Sequence, residues 1–253
     1  MIPIKGSAPS PKRPPVTIAL IAINSLVFLF EASMPTHVLE QFIRVYGFVP
    51  KEFWASLATR PARVDLWLWP ILTSMFLHGG WAHLIGNMLF LWVFGDGVEN
   101  RIGSWRFIAF YLAVGVAATI THGAIGPSVT TPTIGASGAI AGVLGAYLLM
   151  YPKSRVVLVV PIFFWPFFFQ VPTIFFLGFW FLEQLFFGAV SSLGPLTDQP
   201  GGVAWWAHAG GFLAGLVLGL LVKRGKPPPE VLERPRLFPD RSVDQPPRHD
   251  PRR

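Results

Sequence analysis

From Val16 to Val222 the chain passes through a succession of apolar stretches separated by short basic or Gly- and Pro-rich turns, and one of these stretches is too short. It opens with Gly135-Ala136-Ser137-Gly138-Ala139 and ends near Tyr151. From Ser137 to Met150 is about 14 residues, or roughly 21 Å of helix at about 1.5 Å per residue. A bilayer core is roughly 30 Å thick and takes about 20 residues to cross. With the basic turn Pro152-Lys153-Ser154-Arg155 at one face, Ser137 starts its helix about 9 Å below the other. The loop before it must then dip into the membrane, which backbone tolerates only against protein or a water-filled cavity. A hydroxyl sunk at a helix N-terminus beside such a cavity suits a nucleophile.

The membrane reading rests on composition: 52% of residues are hydrophobic and only 13% charged, against roughly 25% charged in soluble domains. The absence of cysteine excludes disulfides, thiolate metal sites and a cysteine nucleophile. A net charge of +7 would fit a nucleic-acid partner, but the basic residues sit in the termini and short turns, where they report topology instead.

Residues 1–15, with Lys5, Lys12 and Arg13, read as a flexible cytoplasmic lead. Val16 to Phe30 is the first span, interrupted by Asn24; no Ala-x-Ala site follows it, so it is expected to stay uncleaved. Residues 31–80 form a long external loop broken by Pro35, Pro50, Pro61 and Pro70, with interfacial amphipathic pieces at Val38–Tyr46 and Phe53–Leu57. The second span is Trp81 to Val98 and the third Phe107 to Thr121; a Gly-, Pro- and Thr-rich loop at 123–136 leads into the Ser137 helix. Residues 156–189 are apolar throughout, too long for one span, and Pro161, Pro166 and Pro172 break them. The stretch 156–170 therefore reads as irregular or interfacial and Val171–Ala189 as the fifth span. Val203 to Val222 is the sixth, stopped by Lys223-Arg224-Gly225-Lys226, with a Pro-rich disordered cytoplasmic tail over 225–253. Six spans put both termini, Arg101, Arg106, Lys153 and Arg155 on one side, as the positive-inside rule requires.

Ionisable groups within spans are costly and are functional candidates by default. His208 lies roughly 8 Å into the sixth span, a depth matched to that of Ser137. Gly138, Gly142 and Gly145 stripe one of these helices and Gly211, Gly215 and Gly219 the other, so the two can pack nearly backbone to backbone. Ser137 and His208 then come within hydrogen-bond reach as a base-activated nucleophile. His83 and Asn87, four apart on the second span, share a face. With the Ser137 N–H they are candidate donors to a developing oxyanion; His78, at the edge of the preceding loop, joins them or orders water. Taken singly, a serine and a histidine in membrane helices are more often plain interhelical hydrogen-bonders. A metal at His78 and His83 lacks any His-Glu-x-x-His pattern. The soluble nucleophile-elbow pattern fails at Ala139. Glu99 is expected to pair with an arginine at the inner end of its span; Glu183 and Gln184 in the fifth span can hydrogen-bond inward and receive no firm role.

Together these residues resemble the rhomboid family of intramembrane serine proteases, over roughly residues 66–222. The motifs are His78-Gly-Gly-Trp-Ala-His83 with Asn87 and Met88, Gly95 to Glu99 with Gly103, Gly135-Ala-Ser137-Gly138, and Ala207-His208-Ala-Gly-Gly211 with Gly215. The resemblance implies an all-α polytopic membrane protein, a six-transmembrane-helix rhomboid-like bundle (16–224) with a long first external loop partly in the membrane. It implies a Ser137–His208 dyad without a third acid, oxyanion stabilisation by His83, Asn87 and Ser137, support from His78, Gly135 and Gly138, and a lateral substrate gate at Phe176 and Trp180. Two positions depart from the family pattern: Pro70 follows Trp69 where an arginine is common, and Ala141 stands where an aromatic often stacks on the histidine.

The expected activity is serine endopeptidase cleavage of single-pass transmembrane substrates near the outer membrane face, through an acyl-enzyme. Membrane lipid is a partner; no cofactor, no metal and no nucleic acid are called for. The expected location is a bacterial plasma membrane, since no Arg- and Ser-rich leader of mitochondrial type opens the sequence. The rival classes are a silent membrane scaffold that binds helices without cutting them, and a transporter, which predicts repeated halves with broken helices.

Overall fold

The computed structural model describes residues 2–8, 13–162, 165–193 and 203–222. In chain order these form β1 (Ile2–Gly6), α1 (Pro15–Ala32), α2 (Thr36–Tyr46), α3 (Pro50–Thr59), α4 (Val64–Thr73), α5 (Trp81–Phe90), α6 (Asp96–Ile102), α7 (Ser104–Ile125), α8 (Ser137–Met150), β2 (Arg155–Ile162), β3 (Trp165–Pro172), α9 (Thr173–Leu193) and α10 (Trp205–Val222). A 3-10 turn, Ser74–Phe76, follows α4, and a π-helical turn, Leu91–Gly95, joins α5 to α6. Among the described residues, four helices, α1, α7, α9 and α10, are long and apolar enough to cross a membrane. The stretch expected as the second span is the α5–π–α6 run, and α8 has 14 residues.

α8 is the centre of the fold. Gly138 to Tyr147 are buried without exception, as a helix apolar on all sides must be. Its largest interface is with α10, and α7 packs beside both. The glycine stripes account for this. A methyl on Gly211 would overlap the carbonyl oxygen of Gly138, one on Gly215 that of Gly142, and one on Gly145 that of Phe212. On the other side of α8, a methyl on Gly142 would lie 2.5 Å from Val114 Cβ on α7. The outer faces are apolar and exposed: Leu26 and Leu29 on α1, Phe175, Phe179 and Leu182 on α9, Val217 and Leu221 on α10. That is the inverse of a water-soluble surface.

The first loop carries α2, α3 and α4, the first two at the amphipathic pieces read from sequence. Phe48, Phe53 and Ile71 form a small separate core there. The loop is stitched to the segment before Ser137: Phe48 N–H donates to the Thr133 carbonyl (3.0 Å), and Thr133 N–H returns the bond (2.8 Å).

Three expectations change. The fold is mostly helical but not all-α: β1, β2 and β3 form an antiparallel sheet in that order. The prolines do exclude helix from 156–170, but Val156, Val157, Val159 and Val160 favour a strand, and the β2–β3 register runs unbroken from Arg155 opposite Pro172 to Ile162 opposite Trp165. Nor is the lead flexible throughout: Ile2–Gly6 pairs with β2, Ile2 opposite Val159 and Gly6 opposite Val156, because β2 offers it a free edge. Ser7 extends the pairing through its hydroxyl, which accepts from Arg155 N–H at 2.8 Å. Finally, Glu99 takes the start of α1 and Ser104 as its hydrogen-bond partners among the described residues, where the sequence suggests an arginine. Its carboxylate accepts from Val16 N–H (3.0 Å), Thr17 N–H (2.7 Å), the Thr17 hydroxyl (2.8 Å) and the Ser104 hydroxyl (2.7 Å). It thus satisfies the orphan donors of the first turn of α1, where Pro15 has none to offer. The Pro-rich tail over 225–253 and most of the 190–202 loop lie outside the described residues.

Candidate active site

Ser137 is the first residue of α8, and its placement depends on Gly135. Gly135 has φ 129°, a region L side chains rarely adopt. A methyl there would lie 2.8 Å from His83 Nε2 and 3.6 Å from Ser137 Oγ, so only glycine lets the two side chains face the same space. The Gly135 N–H donates to the Ser74 carbonyl at 2.8 Å, which ties the loop before α8 to the end of α4. Gly138 serves the other side: a methyl on it would meet Ala118 Cβ at 2.8 Å.

His208 enters from α10. Its Nε2 lies 2.8 Å from Ser137 Oγ, so the two residues that the sequence placed at equal depth are hydrogen-bonded. Its Nδ1 lies 2.8 Å from Gln184 Oε1 on α9. The Gln184 amide nitrogen donates back to the Trp180 carbonyl at 3.1 Å. Two tryptophans flank the imidazole: Trp180, with ring centroids 5.9 Å apart, and Trp205, edge-on at 6.4 Å.

His83 and Asn87 stand one turn apart on α5. His83 Nδ1 accepts weakly from Gly79 N–H at 3.4 Å, and its ring meets His78 edge-on at 5.1 Å. Asn87 is buried, and its amide nitrogen has no hydrogen-bond partner among the described residues. An amide donor of this kind gains most from an acceptor that arrives with the substrate. His78 is fully enclosed in the loop before α5; burial, with His83 beside it, pushes its pKa down to about 4, so it is neutral at ordinary pH. Its backbone N–H donates to the carboxylate of Glu31 at 3.1 Å, which anchors this loop to the end of α1.

Phe176 and Trp180 both face inward from α9. Phe176 stacks on Phe94 (6.3 Å) and Phe90 (6.5 Å), and Trp180 lies between His208 and Phe212. A cavity of about 20 Å³, lined by Ser74, Met75, Thr119, Thr133, Gly135 and Ser137, opens beside the serine. That volume holds about one water molecule.

Sequence reasoning allowed Gln184 an inward hydrogen bond without naming its partner, and missed the contact of Glu31. A signal existed for Gln184: it shares a stripe with Leu177 and Gly188 that is buried along α9. Glu31 likewise continues the buried stripe of Thr17, Leu20, Asn24 and Phe28 along α1.

A model of the rhomboid domain matches residues 66–225. The chain is 45% identical over 87 residues to the rhomboid protease GluP of Bacillus subtilis, covering 34% of this chain and 17% of that protein. It is 35% identical over 157 residues to the human mitochondrial presenilin-associated rhomboid-like protein, covering 58% and 36%. The putative rhomboid protease YdcA of Bacillus subtilis is 37% identical over 86 residues, covering 32% and 41%. The chain thus spans less than half the length of each of these relatives.

Proposed function

The chain belongs to the rhomboid family and is an integral membrane protein, and from that premise we propose that it is an intramembrane serine endopeptidase acting through Ser137 and His208. The observation that carries this reading is the 2.8 Å bond between Ser137 Oγ and His208 Nε2 at the N-terminus of the buried α8. In the reaction Ser137 Oγ attacks the scissile carbonyl while its proton passes to His208 Nε2. The oxyanion takes hydrogen bonds from the Ser137 N–H and the side chains of His83 and Asn87, each such donor lowering the barrier by about 3 kcal/mol. His208 then protonates the leaving amine, and an ester remains on Ser137. A water deprotonated by His208 cleaves that ester, releasing the new carboxyl terminus and restoring the serine; the cavity beside Ser137 is its source.

The topology that fits this role has six spans: α1, the α5–π–α6 run, α7, α8, α9 and α10. Lys153 and Arg155 lie inside together with both termini, and α2 to α4 lie at the outer face. Single-pass transmembrane proteins enter from lipid beside α9, past Phe176 and Trp180, and are cut near the outer face of a bacterial-type plasma membrane. The test is cleavage of a model single-span substrate in detergent micelles by wild type, Ser137→Ala and His208→Ala, with fluorophosphonate labelling in parallel. Cleavage and labelling by wild type, both lost in Ser137→Ala, support the protease. Absence of both from the wild type, in micelles and in bilayers, hands the chain to the silent scaffold class.

A further inference from the structure

Resting on that reading, the geometry points to a third member of the site: Gln184 is a positioning residue that sets the tautomer of His208 and makes its competence depend on the seating of α9 against α10. The orientation of the Gln184 amide is set by its other end. Its nitrogen faces the carbonyl of Trp180, which only accepts, so the atom 2.8 Å from His208 Nδ1 is the oxygen. An amide oxygen also only accepts, so Nδ1 must carry the proton. The lone pair of the neutral ring is then on Nε2, 2.8 Å from the Ser137 hydroxyl. Without Gln184 the ring is free to take the other tautomer, or to turn, and either leaves Ser137 without a base.

Every contact in this arrangement on the far side of His208 comes from one helix. Gln184, the Trp180 carbonyl that holds it and the Trp180 ring beside the imidazole all belong to α9. α9 is also the least embedded of the four long apolar helices, with 22% of its apolar window buried against 39% for α7. Its interface with α10 is much smaller than that of α8. The base is therefore carried by the best-packed helix pair but oriented by the most peripheral helix. Displacing α9 toward lipid removes the partner of Nδ1, and reseating it restores the competent tautomer.

The experiment uses the full chain in micelles with a single-span substrate, and reads kcat, KM, the pH profile of kcat and the rate of fluorophosphonate labelling. Gln184→Leu is expected to lower kcat and the labelling rate by about 10- to 100-fold with KM little changed, within the range that correct positioning of a general base contributes. Gln184→Glu keeps an acceptor and is expected to retain most of the rate. Its carboxylate stabilises the imidazolium, so the acid limb of the kcat profile should move up by about one pH unit. That shift is read even if Gln184→Leu fails to fold. Gly188→Leu touches neither dyad residue but drives a side chain into the Trp206 ring, which lies 3.2–3.4 Å from a methyl at that position. It should slow labelling by unseating α9, and combining it with Gln184→Leu should cost no more than the larger single loss. Wild-type kcat and pH profile in Gln184→Leu and Gln184→Glu, or additive losses in the double variant, would overturn the proposal and leave the protease reading standing. If the wild type itself neither cuts nor labels, it is the protease reading that fails.

Discussion

Gly215→Ala tests the backbone contact on which the dyad rests. A methyl at Gly215 would overlap the carbonyl oxygen of Gly142 and lie 2.6 Å from its carbonyl carbon and 2.7 Å from its Cα. Non-bonded carbons settle at roughly 3.5–4.0 Å, so α8 and α10 must part by roughly 1 Å at this point. What the methyl meets is backbone, so no rotamer change can absorb it. Gly215 is about two turns along α10 from His208, close enough for the separation to reach the dyad. The Ser137–His208 bond of 2.8 Å would stretch toward the limit of hydrogen bonding. A misplacement of about 1 Å can cost about 100-fold in rate, and the strain should destabilise the protein by about 1–3 kcal/mol. The assay is micellar cleavage of the single-span substrate alongside thermal unfolding. Gly86→Ala and Gly178→Ala serve as matched controls, because nothing lies within 4 Å of a methyl at either position. The controls should cut at the wild-type rate. Wild-type cleavage and melting temperature in Gly215→Ala would refute the claim that the glycine stripes hold the dyad together.

Glu99→Gln removes the charge from the group that caps the start of α1 and should cost about 1–2 kcal/mol, read as a lower unfolding temperature in micelles; unchanged stability would count against the cap. His78 supplies a pH prediction. Its pKa in the folded protein, about 4, lies below the ordinary 6.5, so its contribution is complete above pH 6.5 and is lost as pH falls through 4. The loss amounts to about 3 kcal/mol, and His78→Gln should flatten the decline of melting temperature over that window; an equally steep decline in the variant would contradict the assignment. For β1, hydrogen exchange should show the amides of residues 2–6 that pair with β2 protected, and deleting 2–8 should speed exchange along β2. Exchange of residues 2–6 at the rate of an unstructured chain would dismiss the strand.

The apolar runs, the length of the Ser137 helix, the equal depth of Ser137 and His208 and the pairing of the glycine stripes were all legible in sequence. Each follows from local arithmetic: residues per turn, bilayer thickness, and the absence of a side chain at every fourth position. The motif residues could be named for the same reason, since chemistry restricts which residue types act as nucleophile, base and donor. What the sequence could not supply was any contact that no motif or repeated spacing announces. The strand at Ile2–Gly6 exists because Val156–Val159, more than half the chain away, presents a free edge. Glu99 takes the start of α1 as its partner because that helix end brings unpaired N–H groups to it. Gln184 could be seen as polar within an apolar helix, but its meaning depended on which way α9 faced, and rotation about a helix axis is decided by packing. Tertiary structure alone put the Gln184 amide oxygen against His208 Nδ1, because a side chain acquires a partner only when two helices are fixed in both depth and rotation.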